Sequence, residues 1–286
     1  MAEERRFLFR FLWRGVNVLL ASALVCSICA GVREYSVRRY LKGFSDAVVP
    51  ESAAPLQKAQ AILAWMQSGP SRYVARDPSE LSARDPENTL NYEQLLAVCG
   101  TATNAFLNLA RSGGLSVRRL LLLTPDGRAK HVVVEVFIEG RWIVVDPAYR
   151  VVFHNAAGQL LTKNELQNPA MFAEAIRFVP RYPREYSFER YAHVRLARLP
   201  LDWKRLRRIL DALVPGWDEA VDWSLVLERE SFMLLVVSGC LTLLLLLLRA
   251  ALGWYADSRL RISRFHLREH IVRAGVAFFF TPEIKQ

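Results

Sequence analysis

Cysteine is scarce here: four occur in 286 residues. Cys26, Cys29 and Cys240 lie inside long apolar runs, so the rest of the chain holds no second cysteine for a disulfide with Cys99. That excludes a disulfide-stapled domain, and it excludes a Cys-x-x-Cys metal or redox site outside the apolar runs. His154, His193, His266 and His270 show no metal-ligand spacing, so no metal site is expected. Internal repeats and low-complexity tracts are absent, which excludes solenoids and compositionally biased tails. A concentrated basic patch is also missing. Of the net +10, residues 1–14 hold +2 and residues 249–286 hold +4, leaving +4 over the long middle. The basicity therefore follows the ends of the apolar runs, and no nucleic-acid partner is expected.

What the chain has in excess is apolar sequence, at 52% hydrophobic residues. Residues 15–32 carry no charge, and neither do residues 231–248, which end in six consecutive leucines. A spanning helix needs roughly 20 apolar residues, and each run reaches that length if flanking arginines snorkel. The first run lacks small residues at a cleavage position, so it reads as an uncleaved signal anchor. Arg249, Arg259, Arg261 and Arg264 follow the second run, while only Arg229 lies close before it. This bias predicts a two-pass protein of the cytoplasmic membrane with both termini cytoplasmic. The expected order is a cytoplasmic N-terminus (1–14), a membrane helix (15–32), an extracytoplasmic domain (33–230, core about 53–200), a membrane helix (231–252) and a basic cytoplasmic tail (253–286). Outside the membrane, a single cysteine such as Cys99 is either an inert buried thiol or a used one.

The middle segment reads as α+β with one small antiparallel sheet. Residues 33–50 read as a linker, and residues 53–67 as a helix with Leu56, Ala59, Leu63 and Met66 on one face. Residues 71–91 are a loop by their Asp-Pro pairs. A second helix runs from about 95 to 111 and is closed by Gly113-Gly114. Strands are expected at 117–123, 131–138 and 141–145, with short ones at 151–153 and 191–199. A helix over 162–178 should break near Pro169. Residues 204–213 form a basic amphipathic helix close to the membrane, and residues 259–273 suit an anionic inner leaflet.

The hairpin at Glu139-Gly140 carries the chemistry. With a two-residue turn, cross-strand partners sum to 279, so Val133 opposes Asp146 and His131 lies one diagonal step away. His131, Val133, Glu135 and Phe137 then share a face with Trp142, Val144 and Asp146, and the other face is entirely apolar. An aspartate beside a histidine fixes its tautomer and stabilises the imidazolium. Cys99 opens the second helix, where the dipole and free amides favour a thiolate and can hold an oxyanion. Cys99, His131 and Asp146 together are a constellation for attacking an amide carbonyl through a thioester. Glu135 reads as a structural hydrogen-bonding or salt-bridge residue.

Cys99 opening a helix that ends at Gly113-Gly114-Leu115-Ser116-Val117-Arg118 resembles the nucleophile helix of bacterial transglutaminase-like proteins. His131-Val-Val-Val-Glu135, then Gly140-Arg141-Trp142-Ile-Val-Val-Asp146-Pro147, resembles their His-x-Trp-x-Glu and Gly-x-Trp-x-x-x-Asp-Pro hallmark. Val133 and Ser116 depart from the pattern, where the family often has tryptophan and proline. The resemblance implies a papain-like core with the nucleophile helix packed on the sheet. It also implies Cys99 as nucleophile, His131 as general base and acid, Asp146 as orienting acid, and no cofactor. A second oxyanion donor would come from upstream; Gln94, Tyr92 and Asn91 are the candidates. Residues 187–200 and the closing apolar helix resemble transglutaminase-like proteins encoded with exopolysaccharide machinery, which implies envelope-assembly partners and a protein or peptide substrate. The leading expectation is a membrane-anchored cysteine enzyme performing acyl transfer or hydrolysis. The alternative is a non-catalytic binding or scaffold subunit of the same fold.

Overall fold

The computed structural model describes residues 2–68, 86, 90, 98–194, 203–220 and 222–260. The elements are α1 (Ala2–Val48), α2 (Pro55–Gln67), α3 (Cys99–Ser112), β1 (Val117–Leu123), β2 (Ala129–Ile138), β3 (Arg141–Asp146) and β4 (Val151–Val152). There follow α4 (Lys163–Leu166), α5 (Pro169–Ile176), β5 (Tyr191–Ala192), α6 (Trp203–Leu213), α7 (Trp217–Ala220), α8 (Trp223–Glu228) and α9 (Glu230–Tyr255), with a π-helical turn at Ala256–Leu260. The chain divides into two compact units, Met1–Ser27 with Ser238–Gln286, and Ile28–Val237.

In the first unit two apolar helical segments touch. Ser27 and Thr242 share a hydrogen bond of 3.2 Å, and Leu20, Ala23 and Leu245 pack together. Arg249 Nε donates to Asn17 Oδ1 at 2.8 Å, and its guanidinium lies over the Trp13 ring. Two helical stretches, Glu4–Val48 and Glu230–Arg259, are long and apolar enough to cross a membrane. Only 22% and 17% of their most apolar windows are buried, whereas the core helix of a soluble protein is mostly covered. Both features point to membrane association.

The second unit is a mixed helix and antiparallel-sheet domain. Its sheet runs in the order β4-β3-β2-β1-β5. The β2–β3 hairpin has the register read from the turn length: Val134 opposes Val145 and Ile138 opposes Arg141. Glu139 (φ 49°) and Gly140 (φ 80°) both adopt left-handed backbone, the pattern of a type I′ turn, which matches the twist of the strands. One sheet face presents Val134, Val136, Ile138, Ile143 and Val145 to Ile62 and Met66 of α2 and Phe106 and Leu109 of α3. Those side chains are essentially inaccessible, and burying each contributes about 1.5–3 kcal/mol. The opposite face, with Leu120, Leu122, Val133 and Val144, is covered by Phe153, Leu161, Leu166, Phe172 and Phe188.

Three expectations change. Residues 33–50 are not a linker: α1 continues to Val48, because Val37 and Leu41 recur at helical spacing and pack, with Val49, into the domain core. Pairs four apart, Arg38–Glu34 and Lys42–Asp46, support the same turns. The helix expected from about 95 opens at Cys99, with Val98 before it in extended backbone. The break expected near Pro169 is present: Pro169 opens a separate helix with Asn168 as its cap. The strand expected at 191–199 is described only at Tyr191–Ala192; residues 195–199 lie outside the described residues, as do the loop at 71–85 and the tail beyond 260.

A buried polar cluster joins α1, α3 and the start of α9. Arg229 Nη1 donates to Glu34 Oε1 at 3.1 Å and its Nη2 to Asn108 Oδ1 at 2.8 Å. Ser231 donates to the other Glu34 oxygen at 2.7 Å. Removing one partner of a buried ion pair strands the other, so this joint is selective for the observed packing. The hairpin turn has open space around Gly140, so Gly140→Ala meets no clash and costs only its left-handed backbone strain. Thermal unfolding of the protein in nanodiscs should show a loss of about 1–2 kcal/mol for Gly140→Ala.

Candidate active site

Helix α3 is placed by its own sequence. Small residues occupy its first turns, and Thr103 Oγ1 donates to the Val132 carbonyl of β2 at 3.1 Å. Cys99 lies one turn before Thr103, and His131 one residue before Val132, so this bond draws the helix start and the histidine to the same end of the sheet. At the other end of α3, Gly114 takes φ 80° and lets Leu115 N–H reach the Ala110 carbonyl, ending the helix before β1. Val98 caps the start without a side-chain hydrogen bond to the helix, and Thr101 folds back onto Val98 instead. The first amides of α3 lie outside the intrahelical ladder, as at any helix start.

His131 and Asp146 meet where the β2–β3 ladder has ended at Val134–Val145. His131 Nε2 lies 2.6 Å from Asp146 Oδ2, with both side chains fully buried. The same Oδ2 accepts from the Tyr182 hydroxyl at 2.9 Å. The Ala148 and Tyr149 amides donate to Oδ1 at 2.9 and 3.2 Å. Four donors thus surround a carboxylate with no access to water, the condition under which a buried charge persists. His131 Nδ1 is buried and has no nitrogen or oxygen partner among the described residues. Cys99 is within side-chain hydrogen-bonding reach of the imidazole.

Burial alone would discharge His131, but hydrogen bonds to Asp146 and Cys99, with the charges of both, outweigh it and raise its pKa to about 9. The ring is also boxed in by tyrosines. Tyr186 stacks on it in parallel, centroids 4.1 Å apart at 4°, and Tyr149 and Tyr182 present their edges at 6.0 and 6.4 Å. Burial, with Asp146 next, pushes the Tyr182 hydroxyl well above its ordinary value, so it stays a donor. The structure thus brings Cys99, His131 and Asp146 together. Gln94, Tyr92 and Asn91 lie outside the described residues. The three tyrosines were not foreseen: Tyr149 follows Asp146-Pro147 closely enough to be suspected, but Tyr182 and Tyr186 sit in irregular chain with no periodic signal.

Glu135, four residues along β2 on the same face, is part of a separate ionic group. Arg118 Nε and His193 Nε2 both lie 2.7 Å from its Oε2, and the Arg118 guanidinium covers the Trp142 ring at 4.2 Å. Burial opposes ionisation, but His193 and Arg118 reverse it and hold the Glu135 carboxyl below its usual value. It fixes β1 to β2, which is the structural use expected of it.

With this geometry in view, comparison with known proteins is informative: residues 42–147 match the family model of the transglutaminase-like superfamily. The chain carries a transglutaminase-like domain. The match begins inside α1, in agreement with the packing of that part of the helix into the domain, and ends just after Asp146. Tyr149, Tyr182 and Tyr186 therefore come from sequence beyond the matched span. No curated protein and no solved structure matches the chain significantly.

The electrostatics of the transglutaminase-like domain have a testable consequence. Folded His131 holds its proton to about pH 9, whereas the unfolded residue titrates near its ordinary 6.5. Between those values the native state binds more protons, so this group's stabilisation is complete below pH 6.5 and is lost as pH rises through 9. Imidazole NMR should place the His131 titration near 9, and Asp146→Asn should lower it. A native midpoint near 6.5 would contradict the charge balance drawn here.

Proposed function

We propose that this protein is a membrane-anchored cysteine enzyme that opens amide bonds through a thioester on Cys99. The observation that carries the reading is the fully buried 2.6 Å pair of His131 and Asp146, with Cys99 opening the neighbouring helix and acting on the same imidazole, within a transglutaminase-like domain. In this mechanism the Cys99 thiolate attacks the carbonyl carbon, and the α3 N-terminal amides stabilise the oxyanion. As the C–N bond breaks, the His131 imidazolium gives its proton to the leaving amine. An incoming amine or water then gives a proton to His131 and attacks the thioester, returning the thiolate. Asp146 holds the ring orientation throughout and keeps its own charge. An amine acceptor gives cross-linking or acyl transfer; water gives hydrolysis as a protease or amidase. The tyrosine box around His131 excludes water from one side, which favours transfer.

The domain in this reading faces the outside of the cytoplasmic membrane, where a protein or cell-envelope peptide, including one tied to exopolysaccharide assembly, is the accessible substrate. One observation favours a second reading, a non-catalytic scaffold: His131 is only 1% exposed and covered by Tyr186. A scaffold keeps its function in Cys99→Ser, and an enzyme loses it.

Alkylation of Cys99 in intact spheroplasts by a membrane-impermeant haloacetamide, followed against pH, tests the reading. An ordinary cysteine titrates near ~8.5. The expected result is rapid labelling below pH 7 that vanishes in Cys99→Ser and slows in His131→Ala. Labelling confined to alkaline pH or to denatured protein overturns the enzyme reading. Turnover on a substrate, once found, should fall by about 10³-fold or more in either variant.

A further inference from the structure

Between α6 and α9 the chain is fastened to the domain at several described residues. Glu219 of α7 accepts from Lys163 Nζ at 2.9 Å, and its carbonyl accepts from Arg118 Nη1 at 3.0 Å. Asp222 accepts from Arg111 Nε of α3 at 2.7 Å. Trp217 is buried, and its indole donates to Asp211 of α6 at 2.9 Å. Helix α6 is thereby held at a defined place on the domain rather than left on a slack tether.

The second half of this helix leaves apolar side chains uncovered. Its sequence is Trp-Lys-Arg-Leu-Arg-Arg-Ile-Leu-Asp-Ala-Leu. At helical spacing the leucines and isoleucine fall in one arc, and Lys204, Arg205, Arg207 and Arg208 fall in the opposite one. Ile209, Leu213 and the adjoining Val214 are 53%, 73% and 54% exposed. A second protein surface would be asked to accept both an apolar ridge and four flanking cations. An anionic bilayer offers acyl chains and phosphates at the matching depths. The chain from Leu213 to Glu230 is short, so α6 stays close to wherever α9 enters a membrane.

We propose that α6 is an in-plane membrane helix that binds an anionic lipid surface, with Ile209, Leu213 and Val214 entering the acyl layer. The proposal rests on α9 entering a bilayer. Docked this way, α6 orients the transglutaminase-like domain against the membrane through Asp211, Trp217 and Glu219, and the substrates it favours are those held at the lipid surface.

The test uses the full-length protein in nanodiscs containing a phospholipid with a photoactivatable acyl chain, in anionic and in zwitterionic mixtures. Adducts are mapped by mass spectrometry. The proposal expects adducts on the peptide containing residues 209–214, enriched in the anionic mixture. Neutralising one of the four basic residues to Gln should lower the adduct yield about fivefold at limiting anionic lipid. Ile209→Asp with Leu213→Asp should abolish it while adducts on residues 15–27 and 238–248 persist. Adducts on those spans but none on 209–214 overturn the α6 proposal alone. Absence of adducts on both overturns the membrane reading beneath it. Protection of α6 from hydrogen exchange without lipid adducts assigns the face to protein and also overturns the proposal.

Discussion

The 2.6 Å contact between His131 and Asp146 is the constraint around which the domain is arranged. A charged pair with no water around it is tolerable only if each lone pair and proton is met, and here the surroundings are built to do so. Two backbone amides after β3 hold one carboxylate oxygen, and Tyr182 shares the other with the imidazole. The apolar residues flanking His131 and Asp146 on that sheet face are packed under Phe153, Phe172 and Phe188, which keep solvent out. The upward shift on His131 comes from Asp146 and Cys99, whose effect outweighs the burial that opposes the charge.

The cover over the histidine comes from a different stretch of chain than the pair itself. The matched family span ends at residue 147, whereas Tyr182 and Tyr186 arrive some forty residues later, after two short helices. The matched span thus holds Cys99, His131 and Asp146, and the distal segment supplies the tyrosine rings packed on the imidazole. Tyr186 lies flat on the imidazole face, whereas Cys99 is only half-buried.

The nucleophile helix is also where the domain meets its flanking helices. Asn108 accepts from Arg229, which pairs with Glu34, and Arg111 binds Asp222 and Ser224. These bonds fix α3 to the lower part of α1 and to the approach to α9. One helical turn of slippage would shift Cys99 by about 5.4 Å along the helix axis relative to the sheet that carries His131. Polar bonds with defined directions resist such a shift better than apolar packing, which is non-directional.

Much of this was legible in the residues alone. Alternating apolar positions and the Glu139-Gly140 turn determined the β2–β3 register, and with it the shared face of His131 and Asp146, because side chains in a strand alternate strictly and the turn length sets parity. Gly113-Gly114 marked the end of α3 because that signal is local, whereas its start was read about four residues too early, since no capping side chain precedes Cys99. The extension of α1 to Val48 was missed: charged residues after 32 mark the end of an apolar run, yet helical bonds persist wherever a packed partner waits. Tyr182, Tyr186, the Glu34–Arg229–Asn108 joint and the docking of Glu219 were decided only by tertiary structure. They join residues far apart in sequence through irregular chain, where no periodicity records which side chain will meet which. The sequence by itself determined which groups could react and on which face of the sheet two of them lie. The tertiary structure decided what encloses them, because enclosure depends on long-range packing that no local pattern encodes.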